Sequence, residues 1–387
     1  MKINFRKFRD YYKLTAIMLL NICLLFILVN ILGFVGINIR ENYFKQKTVI
    51  AEKYGEAALE RVYPGLTARE IAEIQRESWS NVYLYEPFTQ FKERPTSGNY
   101  VNVAEAGFRI TKNQGPWPPD PENFNVFLFG GSTTFGYGLP DNQTIASYLQ
   151  DYLSQVKEER VAVYNFGRGA YFSTQERIFF EQLLTSGHIP DLAIFIDGLN
   201  EFYFNQPLFT KHLEQFQRFN GEPLGALKFY GSMEIKKLPI TRLARFFGDL
   251  IIKKEELSEK VAYNDPSVIN QLINRYLENK KIIEAAAAVY EVAPIFVWQP
   301  APNYKYDLQY HLFAGNGDFD ANNYIEYGYP QIAEMYEKGL LGDNFFWRAD
   351  IQEGIKEPLY VDKVHYTAGM SQKLAKIIVD LLYNGAD

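Results

Sequence analysis

Four short apolar runs set the terms for folding beyond residue 120: Val126–Phe129 (VFLF), Val161–Phe166 (VAVYNF), Leu192–Ile196 (LAIFI) and Ile295–Trp298 (IFVW). Runs this brief and this continuously apolar read as strands buried on both faces. Helical patterns separate them around Ile145–Val156, Thr174–Leu184 and Ser267–Val292, and a last helix is expected over Ala368–Tyr383. Strands alternating with helices predict an α/β domain whose parallel sheet is covered by helices on both faces. Ligands of such sheets bind outside the carboxyl ends of the strands, so the residues following each run are where chemistry is expected.

A second constraint lies upstream. Leu14–Ile39 (LTAIMLLNICLLFILVNILGFVGINI) carries no charged residue. Roughly 20 apolar residues span a bilayer core as a helix. The run exceeds the roughly 7–15 apolar residues of a signal peptide, and no A-x-A-like cleavage site follows, so an uncleaved N-terminal transmembrane helix is expected. Lys2, Arg6, Lys7, Arg9 and Lys13 precede it against Asp10 alone. Basic residues stay cytoplasmic. Arg40, Lys45, Lys47 and Lys53 weaken that bias without reversing it. The expected topology is single-pass, with residues 1–13 cytoplasmic and the catalytic domain periplasmic or extracellular.

Between anchor and sheet, residues 40–94 are polar and helical in pattern, as in AEKYGEAALERVY and LTAREIAEIQRESW, and read as a juxtamembrane spacer. GPWPPDPEN at 115–123 is a rigid connector, because closely spaced prolines exclude helix and central strand. Residues 95–387 then form one domain, with aromatic-rich insertions near 201–265 and 303–350 placed to roof a site. The chain contains no internal repeat.

Composition removes several function classes. A formal net charge of -6 speaks against nucleic-acid binding, which needs a basic surface. The single cysteine, Cys23, excludes an intramolecular disulfide and a Cys-based zinc site. No metal or other cofactor is expected. HExxH is absent, and the calcium-loop-like Asp318, Asp320 and Asn322 are followed by Asn323 and Tyr329 where glycine and glutamate are needed. Four histidines, His188, His212, His311 and His365, leave a short search for a catalytic base. With 28 Tyr and 30 Phe, the chain has rings to spare for stacking on a ligand.

Four motifs carry chemistry. Gly130-Gly131-Ser132-Thr133-Thr134-Phe135-Gly136 follows the first run, where glycines permit a sharp turn that presents a serine hydroxyl. It lacks the GK[ST] of a P-loop and the second glycine of a G-x-S-x-G elbow. Asn165-Phe166-Gly167-Arg168-Gly169-Ala170-Tyr171 follows the second run, and its glycine-rich turn exposes backbone N–H groups suited to an oxyanion. Asp197-Gly198-Leu199-Asn200-Glu201 follows the third, offering a neutral amide donor. Asp362-Lys363-Val364-His365 precedes the last helix, its two ends spaced so that aspartate can fix the imidazole while the other ring nitrogen takes a serine proton.

In this order, over about residues 95–385, the four blocks resemble the SGNH hydrolases, the GDSL-like esterases; YVNVAEAGFR adds an entry segment of the kind seen in bacterial members. The resemblance implies a flavodoxin-like three-layer α/β/α fold and esterase, lipase, acetylesterase or acyltransferase activity. It implies Ser132 as nucleophile, His365 as base and Asp362 as its orienter, with Ser132, Asn200 and either Gly169 or Ala170 as oxyanion donors. Gly131 stands where the family usually has aspartate. The expected function is an esterase that deacylates an acyl-ester substrate, with an acylated carbohydrate, a lipid or a small ester as the candidate classes. An O-acyltransferase for an envelope or exported polysaccharide and a non-catalytic glycan-binding protein are the alternatives.

Overall fold

A computed structural model of the chain describes residues 5–44, 55–80, 82–219, 223–241, 262–315 and 317–383. The parts of the expected spacer and first insertion at 45–54 and 242–261 lie outside the described residues. The chain divides into two compact units, Met1–Gln46 with Lys211–Val261, and Lys47–Thr210 with Ala262–Asp387.

In the first unit, helix α1 runs over Phe5–Phe44. Its stretch Arg9–Ile37, 29 residues of mean hydropathy 2.6, is long and apolar enough to cross a membrane. Asn30, a polar interruption of that stretch, has its polarity met: its amide donates to Phe26 O (2.8 Å) and its Oδ1 accepts from Ile240 N (3.3 Å). The described residues of the first insertion beyond Thr210 group with this helix, among them Pro223–Lys237, a helix of 15 residues.

The second unit begins with α2 (Glu56–Val62) and α3 (Ala68–Trp79), the latter started by a capping box between Thr67 and Glu70. A hairpin of β1 (Tyr83–Glu86) and β2 (Gln90–Glu93) follows, with Tyr83 opposite Glu93. These residues, which the sequence marks as spacer, pack into the unit. Leu59, Val62, Tyr63 and Ile71 are buried with Leu139, Phe313 and Val361. Apolar residues at helical spacing give α2 and α3 one face to bury, and the unit supplies the surface.

The central sheet holds five parallel strands: β3 (Phe124–Gly130), β4 (Val161–Asn165), β5 (Leu192–Asp197), β6 (Ala293–Trp298) and β7 (Phe345–Trp347). Their order is β4-β3-β5-β6-β7. Counted along the chain this is 2-1-3-4-5, the doubly wound flavodoxin-like order. Helices α4 (Ile145–Val156) and α8 (Ala368–Tyr383) cover one face. On the other lie α5 (Ser173–Thr185), α6 (Pro266–Val289) and α7 (Ile325–Glu337).

Strand periodicity sorts the side chains between these layers. Val126, Leu128, Val163, Ile194, Ile196 and Val297 meet α4 and α8. Phe127, Phe129, Phe195, Phe296 and Trp298 face the opposite layer, where Phe129, Phe195 and Phe296 stack across three strands at centroid spacings of 4.9 and 5.3 Å. Both cores are closed under the carboxyl ends of β3, β4 and β5, which fixes the three turns that follow them.

Candidate active site

Ser132 opens a single helical turn, Ser132–Phe135, directly after β3. The turn can be this tight because two glycines precede it. Gly130 sits at φ +153°, and a Cβ there would lie 2.8 Å from Ile196 O. At Gly131 a Cβ would lie 2.3 Å from the Asn200 amide nitrogen. The bare backbone at 131 therefore lets Asn200 approach the serine turn.

The loop after the serine is held by Arg109, the arginine of the GFR segment. Its fully buried guanidinium donates to Phe135 O (2.9 Å), Gly136 O (2.6 Å) and Leu139 O (2.5 Å) and pairs with Asp141 (3.0 Å). It thereby satisfies carbonyls that a one-turn helix leaves open.

His365 comes to the serine from the far end of the chain. Its Nε2 lies 2.8 Å from Ser132 Oγ, and its Nδ1 lies 2.6 Å from Asp362 Oδ2. The pair sits in a turn ahead of α8. Asp362 Oδ1 accepts the N–H groups of Val364 (2.9 Å) and His365 (2.8 Å), so the carboxylate fixes both the backbone and the ring. Burial opposes ionisation of Asp362, but the His365 charge and these hydrogen bonds outweigh it and hold the carboxyl below its usual range.

Two further contacts lock this turn. Gln299, at the end of β6, accepts from Thr133 Oγ1 (2.7 Å) and from Tyr366 OH (3.0 Å), joining the residues next to the serine and the histidine. His311 bonds Lys363 O through Nε2 (3.1 Å), accepts Phe313 N at Nδ1 (3.2 Å) and stacks on Tyr360 at 4.9 Å. Burial drives the His311 imidazole down to about 4, so it is neutral and its Nε2–H is the donor.

Asn200 lies on the short helix Leu199–Tyr203 after β5 and donates to Tyr171 O at 2.7 Å. One of its amide protons is thus engaged, while the nitrogen abuts the backbone at Gly131. Behind this turn lies a buried acidic group. Glu201 accepts from Ser173 N (2.5 Å) and pairs with Arg275 (3.3 Å). Burial, followed by the mutual charge of the cluster, pushes the Glu176 and Asp197 carboxyls well above the usual range.

The glycine block lies beside the same site. Arg168 N donates to Gly130 O (3.0 Å), and Asn165 holds the turn through Thr134 O (3.0 Å) and Gly167 N (3.0 Å). Gly169 and Ala170 differ. Gly169 donates its N–H to Glu93 Oε1 at 2.7 Å, whereas Ala170 adopts the left-handed conformation at φ +60°.

Sequence reasoning passed over three residues here. Trp79, 39% exposed, stands edge-on to His365 at 5.9 Å. Tyr137 lies nearly parallel to the same imidazole at 5.6 Å, and Glu93 from the hairpin is buried next to it. Two of them, Trp79 and Glu93, fall in the stretch read as spacer, where composition marks only polar helix. His188 packs on Trp117 at 4.5 Å, outside this group. Among the described residues, no three His, Cys, Asp or Glu side chains are arranged to hold a metal ion.

No family model matches the chain, and no curated protein does. Solved structures similar to it include one assigned to the lipolytic G-D-S-L family from Desulfitobacterium hafniense (14% identity, TM-score 0.35, 67% of this chain and 99% of that one). A structure described as an acylhydrolase from Bacteroides fragilis matches at 14% identity and TM-score 0.36 over 69% of this chain and 89% of its own. A carbohydrate acetylesterase from Sinorhizobium meliloti matches at 14% and 0.35 over 67% and 98%.

Proposed function

We propose that this chain is a membrane-anchored serine acyl hydrolase of the SGNH type, acting outside the cytoplasm. The observation that carries the reading is the continuous relay from Asp362 through His365 to Ser132, at 2.6 and 2.8 Å, with the Asn200 amide against the serine turn.

The chemistry follows from those positions. With Nδ1–H donated to Asp362, Nε2 of His365 carries a lone pair toward Ser132 Oγ and takes its proton as the oxygen bonds to the ester carbon. The carbonyl electrons move onto oxygen. That oxyanion is met by the N–H of Ser132, the N–H of Ala170 and the Asn200 amide. Gly169 is not assigned this role, because its N–H already serves Glu93. Collapse of the intermediate expels the alcohol, which leaves with the proton from His365. Water, deprotonated by the same nitrogen, then attacks the acyl-enzyme carbonyl; collapse breaks the bond to Ser132 Oγ, which takes back the proton from His365 as the carboxylic acid leaves.

The substrate class assigned is an acylated carbohydrate. Trp79 presents a partly exposed indole beside the base, and such a flat apolar face suits the C–H face of a sugar ring. In an O-acyltransferase the same acyl-enzyme would pass to a sugar hydroxyl instead of water.

The test is p-nitrophenyl acetate turnover by the full chain in detergent, with Ser132→Ala and Asn200→Ala beside wild type. Release that needs Ser132 and slows roughly 100- to 1000-fold in Asn200→Ala is expected, since one oxyanion donor is worth about 3–4 kcal/mol. A folded protein with no serine-dependent release and no fluorophosphonate label on Ser132 overturns the enzyme reading in favour of glycan binding. Acyl transfer outrunning hydrolysis when excess glycan is added would make the protein a transferase.

A further inference from the structure

The hairpin ahead of the sheet puts a buried carboxyl into the glycine block. Glu93 is 2% exposed, and its Oε1 accepts the Gly169 N–H at 2.7 Å and the Tyr137 hydroxyl at 3.4 Å. Tyr83, opposite Glu93 in the hairpin, meets Tyr137 hydroxyl to hydroxyl at 3.2 Å. The fit depends on glycine at 169, where a Cβ would lie 2.5 Å from the Tyr83 hydroxyl and 2.9 Å from that of Tyr137. Tyr137 in turn lies against the His365 ring.

We propose that Glu93 is a positioning residue for the acyl-transfer site, acting at two points through one oxygen. By holding the Gly169 N–H it sets the peptide that leads into Ala170, so that the Ala170 N–H is the one presented to the oxyanion. By accepting from Tyr137 it keeps that ring against the imidazole of the base. The proposal rests on the serine hydrolase reading above.

A general packing role accounts poorly for a carboxyl here. Burying an acid with only partial pairing is unfavourable, and an apolar residue would fill the volume without that penalty. Burial does raise the Glu93 carboxyl, against the pull of the Arg168 charge and the Gly169 hydrogen bond. An oxygen acceptor, charged or not, is what the geometry uses. Glutamine should therefore substitute and alanine should not.

The experiment compares full-length wild type, Glu93→Gln and Glu93→Ala in steady-state ester hydrolysis, with hydrogen exchange of the 165–171 peptide on the same samples. Expected is a kcat lowered about 10- to 100-fold in Glu93→Ala, part of the value of one oxyanion donor, with KM within about threefold. Glu93→Gln should stay within about threefold of wild type in kcat, and exchange at 165–171 should rise only in the alanine variant. A folded Glu93→Ala with wild-type kcat overturns the proposal while leaving the hydrolase reading intact. So does an equal loss in both variants, or a change confined to KM. If Ser132-dependent turnover is missing from wild type itself, the hydrolase reading falls and takes this role with it.

Discussion

His311 shows how a residue distant from the reacting atoms enters the energetics of the site. It is 6% exposed and neutral, and its Nε2–H supports Lys363 O within the turn that carries Asp362 and His365. Burial lowers its imidazole from 6.5 to about 4. The unfolded chain therefore takes up a proton near pH 6.5 that the folded chain refuses until about pH 4. The stability tied to this group is complete above pH 6.5 and is lost as pH falls toward 4, a swing of at most about 3 kcal/mol. In His311→Gln, whose amide can still donate to Lys363 O, that part of the acid loss should disappear. Urea midpoints from pH 7 to pH 4 for the two proteins check this. Curves that run parallel over the interval would show that His311 carries no such linkage.

At the scale of elements, the site depends on strand ends being tied to one another, and Gln299 is the clearest tie. One side-chain oxygen at the end of β6 accepts from the residue after the nucleophile and from the residue after the base. Gln299→Ala should leave the buried Thr133 hydroxyl short of a partner, while Tyr366 keeps Pro300 O as its acceptor (2.6 Å), and should loosen Ser132 against His365. Expected are a loss of about 1–3 kcal/mol in stability for the one orphaned hydroxyl and a kcat lowered about tenfold or more. Thermal melting and steady-state kinetics on one preparation test both, and unchanged kcat with lowered stability would reduce Gln299 to a packing role. The same scale shows what the sequence makes legible. Strands β3 to β6 and helices α4, α5, α6 and α8 are readable because their apolar residues follow a single period over four or more positions. Strand β7 is not: Phe345–Trp347 is three residues long and offers no period. Its place as the fifth strand comes only from pairing with β6. The four motif blocks were legible as local turns. The Glu93, Tyr137 and Trp79 contributions were not, because they come from contacts between residues up to 286 positions apart, such as Trp79 with His365.

At the scale of the whole molecule, the question is where the chain sits, and its own chemistry supplies a reporter. Cys23 is the only cysteine and lies midway along Arg9–Ile37. Fourteen residues separate it from either end of that stretch, roughly 21 Å at 1.5 Å per residue. A bilayer core about 30 Å thick would therefore enclose it. With no second thiol to compete, labelling by a water-soluble maleimide reads that enclosure directly. In intact membranes Cys23 should stay unmodified, and it should react fully once detergent and denaturant expose the helix. Reaction in sealed membranes at the rate of a free thiol would rule out a span centred on this residue. Orientation needs a second reading on the same membranes. Protease added to the outer side should cut within the unit that carries Ser132 and spare a tag ahead of residue 14, because the basic cluster from Lys2 to Lys13 favours the cytoplasmic side. The reverse pattern would place the serine turn inside the cell and would remove exported or envelope glycans from the substrates it can reach.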